Sequence, residues 1–350
     1  LCAGASSILR LRKRKGVKLM DEKKKILAIN FGGIGDEIFF LPTLISLKKQ
    51  YPNSEITLAL EPRSKGVKDL TDVIDNLILI DVKGKNKYLE MFKLLRAAWA
   101  GHYDLVLSSG GNKLISILLF LTGIKVRCGY DTGFLSKILL THAMRLNKKQ
   151  YACKMYHDLI RNITDFNTEL PEINVQPKEK IANSVLIHPG VSKLSVQKGC
   201  IKTITPEVWA KVIDLLVAEG KKVRLVGGPD DKECIETIMQ NVRTQNFENL
   251  YGTTKNLRDL AELISSAEKF LCSDSAPLHV AVALHTKTYV IFGPTDVEAL
   301  IPKNDNVVPI MANDNCELKP CLWARRQTTC EKLSCLKISA SQIASAVCNS

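Results

Sequence analysis

No apolar run in this 350-residue chain approaches the roughly 20 residues that a bilayer-spanning helix needs, which excludes an integral membrane protein built from such helices. The first 19 residues lack the apolar core of about 7–15 residues that follows the charged start of an export signal, so they do not read as one. There is also no short tandem repeat and no low-complexity tract. With 45% hydrophobic and 24% charged residues, the composition is that of an ordinary soluble globular protein. The length suggests two domains at about 100–200 residues each.

Positive charge is present in excess. The formal net charge is +13, and Arg10, Arg12, Lys13, Arg14, Lys15 and Lys18 crowd the first 19 positions without an acid among them; setting that stretch aside leaves +7. Such a surplus suits an anionic partner, whether a nucleotide diphosphate, a phospholipid surface or a nucleic acid, and a solvated basic surface is the bland alternative. Met20 reads as the start of the folded chain, with residues 1–19 a basic extension that is a candidate for contact with anionic lipid. Of the eleven cysteines, Cys128, Cys153, Cys200, Cys234 and Cys272 lie in apolar segments and read as buried thiols rather than as a disulfide scaffold.

From residue 25 onward short β-rich runs alternate with amphipathic helical stretches, the pattern of parallel sheets in an α/β fold. Strands are expected at 26–30, 56–60, 77–80, 105–108 and 126–129, with helices at 36–50 and 88–100 between them. These make a first Rossmann-like domain over 20–170. The stretch 171–183 carries prolines and no clear period, as a linker would. A second Rossmann-like domain over 184–335 follows, with strands at 185–188, 222–226, 269–272 and 288–292 and helices at 206–219, 231–240, 257–265 and 276–284. A last segment, 336–350, holds a helix whose Ile343, Ala344 and Val347 share one face. Two such domains in series leave a cleft at the carboxyl ends of their strands, where ligands of open α/β sheets bind.

The chemistry-bearing residues fall at those strand-to-helix turns. Gly32-Gly33-Ile34-Gly35-Asp36 follows the first strand; its glycines permit close backbone approach, and the helix start offers amides to an anion or polar group. The spacing is not that of a dinucleotide fingerprint. Asp36 reads equally as a helix cap and as a general base for a hydroxyl nucleophile. Lys202, just before Thr205-Pro206-Glu207, is placed to neutralise charge on a departing diphosphate, or is simply a solvated lysine. Cys272-Ser273-Asp274-Ser275-Ala276 opens a helix whose amides can hold a phosphate, with His279 one turn on; the structural alternative makes Asp274 a cap and His279 a core residue. Gly293-Pro294-Thr295 closes a further strand. Cys316, Cys321, Cys330 and Cys335 lie within 20 residues and could be a structural zinc site, disulfides or free thiols.

Taken in order, these segments resemble glycosyltransferase family 9, the ADP-heptose:lipopolysaccharide heptosyltransferases, from about residue 25 to the C-terminus. Further matches are Leu41-Pro42, Tyr103-Asp104-Leu105-Val106, Arg127-Cys128-Gly129-Tyr130, His188-Pro189-Gly190, Trp209 seven residues after Lys202, and Gly227-Gly228-Pro229. The resemblance implies a GT-B architecture of two Rossmann-like domains. It implies that Asp36 activates the acceptor hydroxyl, that Gly33 and Gly35 form the acceptor-side loop, and that Lys202 contacts the donor phosphates. It also implies that Asp274, Ser275, Ala276, His279, Gly293 and Thr295 bind the donor, with Asp230 or Glu233 reaching the nucleotide. Two departures stand out: Ser108-Ser109-Gly110-Gly111 where relatives carry Asp-Leu-Gln/Arg-Gly, and Ile204 in place of a common tryptophan. No Asp-x-Asp triplet occurs, so the usual metal–diphosphate ligand of the other large glycosyltransferase fold is missing.

The expectation is therefore an inverting, metal-independent glycosyltransferase without a cofactor, moving heptose from ADP-heptose to a glycolipid acceptor of lipopolysaccharide type. It is expected to be cytoplasmic, to touch the inner face of the membrane peripherally, and to bind no nucleic acid. The alternatives are a sugar-nucleotide epimerase or hydrolase of GT-B type and a non-catalytic protein that binds lipid or nucleic acid.

Overall fold

A computed structural model describes residues 23–197, 199–321, 330 and 332–349. The basic extension at 1–19 lies outside the described residues. The first half contains β1 (Lys25–Ile29), α1 (Ile34–Gln50), β2 (Glu55–Leu60), a 3-10 segment at Pro62–Leu70, β3 (Asn76–Leu79), α2 (Lys87–Gly101), β4 (Leu105–Ser108), α3 (Lys113–Leu121), β5 (Val126–Tyr130), α4 (Phe134–Leu139), β6 (His142–Met144) and α5 (Ala152–His157). The second contains β7 (Ile181–His188), α6 (Lys193–Gln197), α7 (Pro206–Ala218), β8 (Lys222–Leu225), α8 (Lys232–Asn241), β9 (Glu248–Asn249), α9 (Leu257–Ser266), β10 (Ala267–Ser273), α10 (Ala276–Ala283), β11 (Lys287–Phe292), α11 (Val297–Leu300), β12 (Val307–Met311) and α12 (Ala340–Cys348).

Each half forms a six-stranded sheet, in the orders β3-β2-β1-β4-β5-β6 and β12-β11-β10-β7-β8-β9. All pairings are parallel; Ile26 of β1 lies opposite Ile56 and Leu105, and Phe270 of β10 opposite Leu186 and Thr288. Read outward from its first strand, the second sheet repeats the order of the first, so both halves are doubly wound and the α/β expectation of two Rossmann-like domains holds. Central strands such as Ile26–Ile29 are apolar on both faces because helices cover both.

The differences from expectation have local causes. β7 starts at Ile181, so the strand takes up the end of the stretch expected as linker. β12 carries Pro309, which an edge strand tolerates, while β6 and β9 are only three and two residues long. In α3 the run Leu-Ile-Ser-Ile-Leu-Leu-Phe-Leu is apolar nearly all round and hides its period.

Two cores flank the first sheet. Leu94 and Ala98 of α2 join Leu118 and Leu119 of α3 beneath one face, while α1 and α5 cover the other. That second core crosses between the halves, joining Ile38, Phe39 and Phe40 of α1 to Leu278, Val280 and Ala281 of α10. Phe39 is the hinge of this seam, its ring 5.7 Å from Tyr151 and 4.1 Å from His279. In the second half α12 buries Ile343, Ala344 and Val347 in a core with Trp209 and Ile213 of α7. Truncating a buried aromatic leaves a cavity that costs about 3–5 kcal/mol, whereas exposed sites change stability by about 0.5 kcal/mol or less. Urea titration should therefore show Phe39→Ala destabilised by about 3–5 kcal/mol. The exposed Phe134→Ala should stay within about 0.5 kcal/mol of the parent chain.

Candidate active site

The carboxyl ends of both sheets face one cleft of about 730 Å³. Its lining includes Gly33, Gly35, Asp36 and Arg63 from the first half, with His188, Lys202, Asp274, Ser275, Ala276, His279 and Thr295 from the second. The order of each sheet reverses between β1 and β4 and between β7 and β10, and the turns after β1, β7 and β10 supply most of the wall, as expected of ligand sites in doubly wound sheets.

On the first wall, Asp36 occupies the third position of α1. Its Oδ2 accepts the Gly33 N–H (2.8 Å) and its Oδ1 accepts the Tyr156 hydroxyl (3.2 Å). The capping bond and the cleft position coexist, so cap and base are not alternatives for this residue. A carboxylate has about four acceptor positions, and two donors leave room for a substrate hydroxyl. Burial, and then Asp36 itself, push the Tyr156 phenol well above the usual range, which keeps it a donor. Asn30 ties the two strand ends together: its amide donates to the Asp36 carbonyl (3.2 Å) and its Oδ1 accepts from Ser109 (2.8 Å). Glu37, next in sequence, is buried with no hydrogen-bond partner on either carboxyl oxygen. Burial first and Asp36 second raise its pKa well above the carboxylate range, which favours the neutral acid.

On the second wall, Asp274 is nearly inaccessible and its Oδ2 receives both the Thr295 hydroxyl (2.8 Å) and the Lys202 ammonium (3.4 Å). Lys202 is thereby held over the start of α10, where Ser275 caps through its backbone alone and the first amides have no intrahelical partner. The loop that carries Lys202 is fixed by hydroxyls. Ser273 donates to the Pro189 carbonyl (2.7 Å) and lies 2.7 Å from Thr203, whose Oγ1 also accepts the Trp209 indole N–H (3.0 Å). His279 is buried against Phe39, with its Nδ1 unpartnered. A Cβ at Gly35 would lie 2.8 Å from the His279 ring, so only glycine admits this approach of α1 to α10.

Two expected residues stand apart from the cleft. Glu233 is exposed on α8, because Pro229–Asp231 forms a 3-10 turn that spends the residues after Gly-Gly-Pro and puts Asp230 and Asp231 on the wall instead. Gly293 packs beneath Leu336, 2.5 Å from where its Cβ would stand, and is a packing position. Of the four C-terminal cysteines, Cys335 is buried and Cys330 exposed, and none is in a disulfide. Among the described residues no group of three or more His, Cys, Asp or Glu could hold a metal ion, so the zinc reading of these cysteines has no geometry behind it.

Sequence reading missed several lining groups. Arg63 reaches the cleft because Ser64 donates to the Gly32 carbonyl (3.0 Å); its place just beyond the end of β2 was the available signal. His188 and Asp231 face each other at 3.4 Å, both buried. Burial lowers the imidazole pKa and raises the carboxyl, and each opposes the shift of the other.

Two Rossmann-like domains with an acidic group on one wall of their cleft and a lysine beside a helix start on the other define a glycosyltransferase of GT-B architecture. The chain belongs to Glycosyltransferase family 9 (heptosyltransferase), whose description matches residues 91–330. It is 27% identical over 300 residues to lipopolysaccharide heptosyltransferase 3 of Escherichia coli, covering 81% of this chain and 88% of that one. The fold is similar to that of a family 9 glycosyl transferase from Veillonella parvula DSM 2008, with a TM-score of 0.72 and 22% identity over 94% of this chain and 98% of that one. It is also similar to E. coli heptosyltransferase WaaC with ADP-2-deoxy-2-fluoro heptose, with a TM-score of 0.66 and 17% identity over 85% and 96% of the two chains. No helix among the described residues is long and apolar enough to cross a membrane.

Burial lowers the His279 pKa from 6.5 to about 4, with Asp274 opposing and Lys202 adding to the shift. As pH falls through 6.5 the unfolded chain takes up this proton and the folded chain does not, so stability is lost between pH 6.5 and about 4 and is unaffected above. At pH 5 the loss is about 2 kcal/mol. His279→Gln should remove it: between pH 7.5 and 5, denaturant unfolding should show the variant losing about 2 kcal/mol less than the parent.

Proposed function

We propose that this chain transfers heptose from ADP-heptose to a glycolipid acceptor of lipopolysaccharide-core type, by direct displacement with inversion and without a catalytic metal. The observation that carries this reading is that one cleft has Asp36 on one wall and Lys202 with the α10 start on the other. The reading of donor and acceptor class is supported by the name of the E. coli relative, a lipopolysaccharide heptosyltransferase, and a structure of the same fold holds an ADP-heptose analogue. The half built around β1–β6, residues 20–170, takes the acceptor; the half around β7–β12, within 184–335, takes the donor. The active chain works on the cytoplasmic side.

The acceptor hydroxyl sits against the open acceptor position of Asp36, which removes its proton as the new bond to the sugar's anomeric carbon forms. The bond from that carbon to the diphosphate oxygen breaks on the opposite face, so the configuration inverts. Negative charge then grows on the diphosphate. Lys202 and the first amides of α10 are already aimed there, and such preorganised stabilisation avoids the cost of reorientation at the moment of reaction. Asp274 and Thr295 keep the ammonium in place, and Arg63 offers a second cation on the acceptor side. With this set of cations and amides, no bound metal is required for the leaving group.

Asp36→Asn keeps the cap geometry and removes the base. Transfer from ADP-heptose should fall by at least about 100-fold, while thermal stabilisation by ADP-heptose is retained. Undiminished turnover would take Asp36 out of the base role. Lys202→Ala, by contrast, should lose donor stabilisation together with turnover. Parent turnover should be unchanged by EDTA, and dependence on an added divalent cation would refute the metal-independent step.

A further inference from the structure

The face of the first sheet remote from α1 carries an unusual surface. Because β1, β2 and β3 run to one side and α2 then crosses back to β4, helices α2, α3 and α4 lie together over this face. They touch one another: the Trp99 indole of α2 donates to the Leu121 carbonyl of α3 (3.0 Å), and Arg127 lies over the Phe120 ring (5.7 Å) while donating to the Leu139 carbonyl of α4 (2.7 Å). Ten large apolar side chains on these three helices are exposed, among them Phe92, Trp99, Phe120 and Ile138. Most of the other exposed large apolar residues among those described are scattered singly over the second half. A contiguous apolar patch of this size marks an interaction surface.

Its most exposed members lie at one end. Tyr88 (80% exposed), Leu89 (64%), Leu114 (67%) and Phe134 (78%) all fall within the first three residues of their helices. Helices that return from a parallel sheet begin at the carboxyl ends of its strands, so these side chains border the edge at which the cleft opens. The same segment is strongly basic. Residues 83–149 contain twelve Lys and Arg against three Asp and Glu, a net +9 within a chain whose total is +13. Lys87, Lys113, Lys137, Lys148 and Lys149 are exposed, and Arg145, Lys148, Lys149 and Arg161 line a groove of about 670 Å³ after β6, at the same sheet edge.

We propose that the α2–α3–α4 face docks this chain onto an anionic phospholipid surface. Tyr88, Leu89, Leu114 and Phe134 enter the headgroup region and the surrounding lysines meet the negative charge of the leaflet. Apolar side chains that insert, ringed by Lys and Arg, are what binding at a charged bilayer surface needs, and an extended anionic plane meets so unbalanced a charge without requiring a matching shape. The inference deepens the glycolipid-acceptor reading, since docking here sets the cleft mouth at the membrane, where a lipid-anchored acceptor resides. Lipid binding is read without donor or acceptor, so either proposal can fail alone.

The test is co-sedimentation of the full chain with vesicles of phosphatidylcholine alone and of phosphatidylcholine with an equal part of phosphatidylglycerol. Binding is expected to the anionic vesicles, weakening as salt is added. The variant Tyr88→Ser/Leu114→Ser/Phe134→Ser should bind at least about 10-fold more weakly. Lys137→Glu/Lys148→Glu/Lys149→Glu should bind about 100-fold more weakly. Both should melt with the parent chain. Should a triple variant melt early, Phe134→Ser and Lys148→Glu alone carry the same test, each with a loss of about 5-fold or more. Absence of binding to anionic vesicles overturns the proposal. So does parental affinity in a folded variant, which would assign binding elsewhere, including the basic residues 1–19. A parent dimer that either variant makes monomeric in light scattering would likewise overturn it, by making the face a contact between copies.

Discussion

The arrangement of this molecule depends on the approach of α1 to α10 at Gly35. With a hydrogen in place of a side chain there, the His279 ring lies against the first turn of α1 and packs at a tilt against Phe39. Two helix starts, one from each sheet, are thereby brought to a single point, each following the first or fourth strand of its own half. Asp36, one residue from Gly35, and Ser275 and Ala276, a turn before His279, become opposing walls as a consequence. A side chain of any size at 35 would push the halves apart or unseat the ring, because a packed interior accommodates extra atoms only by strain. The apolar seam formed by Phe39, Phe40 and Leu278 holds the position that the glycine permits.

Around that point the chain buries charge only where another group makes it tolerable. Asp274 accepts from Thr295 and Lys202, and Asp231 accepts the Gly228 N–H while facing His188. Removing one partner of a buried pair leaves the other uncompensated, so these contacts specify geometry more than they add stability. Glu37 follows another rule. Burial first, and repulsion from Asp36 second, raise its pKa and favour the neutral acid there. The cleft thus keeps one acid in the hydrogen-bonded position and one withdrawn.

Much of this was legible in the sequence, unevenly. Strands flanked on both faces by helices carry continuous apolar runs, and β1, β4 and the 270–272 part of β10 could be read directly from their residues. The turns after them carry Gly33–Asp36 and Asp274–Ala276, so strand-end position alone brought most of the cleft together. Features set by distant pairing were not readable. Nothing in Tyr156 or in the spacing of 120 residues announces its bond to Asp36. Arg63 comes to the site through a hydroxyl bond from Ser64 to Gly32, and of Asp230 and Glu233 the 3-10 turn at Pro229–Asp231 puts Asp230 on the wall, with Asp231 beside it. The cysteine spacing left zinc, disulfides and free thiols open; in the fold Cys335 is buried beside Gly293 while Cys330 stays at the surface.

The treatment of cations separates the cleft from the outer face of the first half. Inside the cleft Lys202 is matched with a buried acid, and the two charges hold each other in one orientation suited to a ligand of defined shape. Across the segment 83–149, which holds α2, α3 and α4, twelve cations meet only three acids, so the field there is largely unbalanced and extends from the surface over about a Debye length. A balanced pair favours one pose of one ligand, whereas an unbalanced field attracts any extended anionic plane and orients the molecule on it. Apolar side chains clustered at the helix starts add a preferred edge to that orientation, and the edge is the one where the strands end. The topology that places the turn of β1 in the cleft therefore also determines which rim of the cleft is apolar and basic.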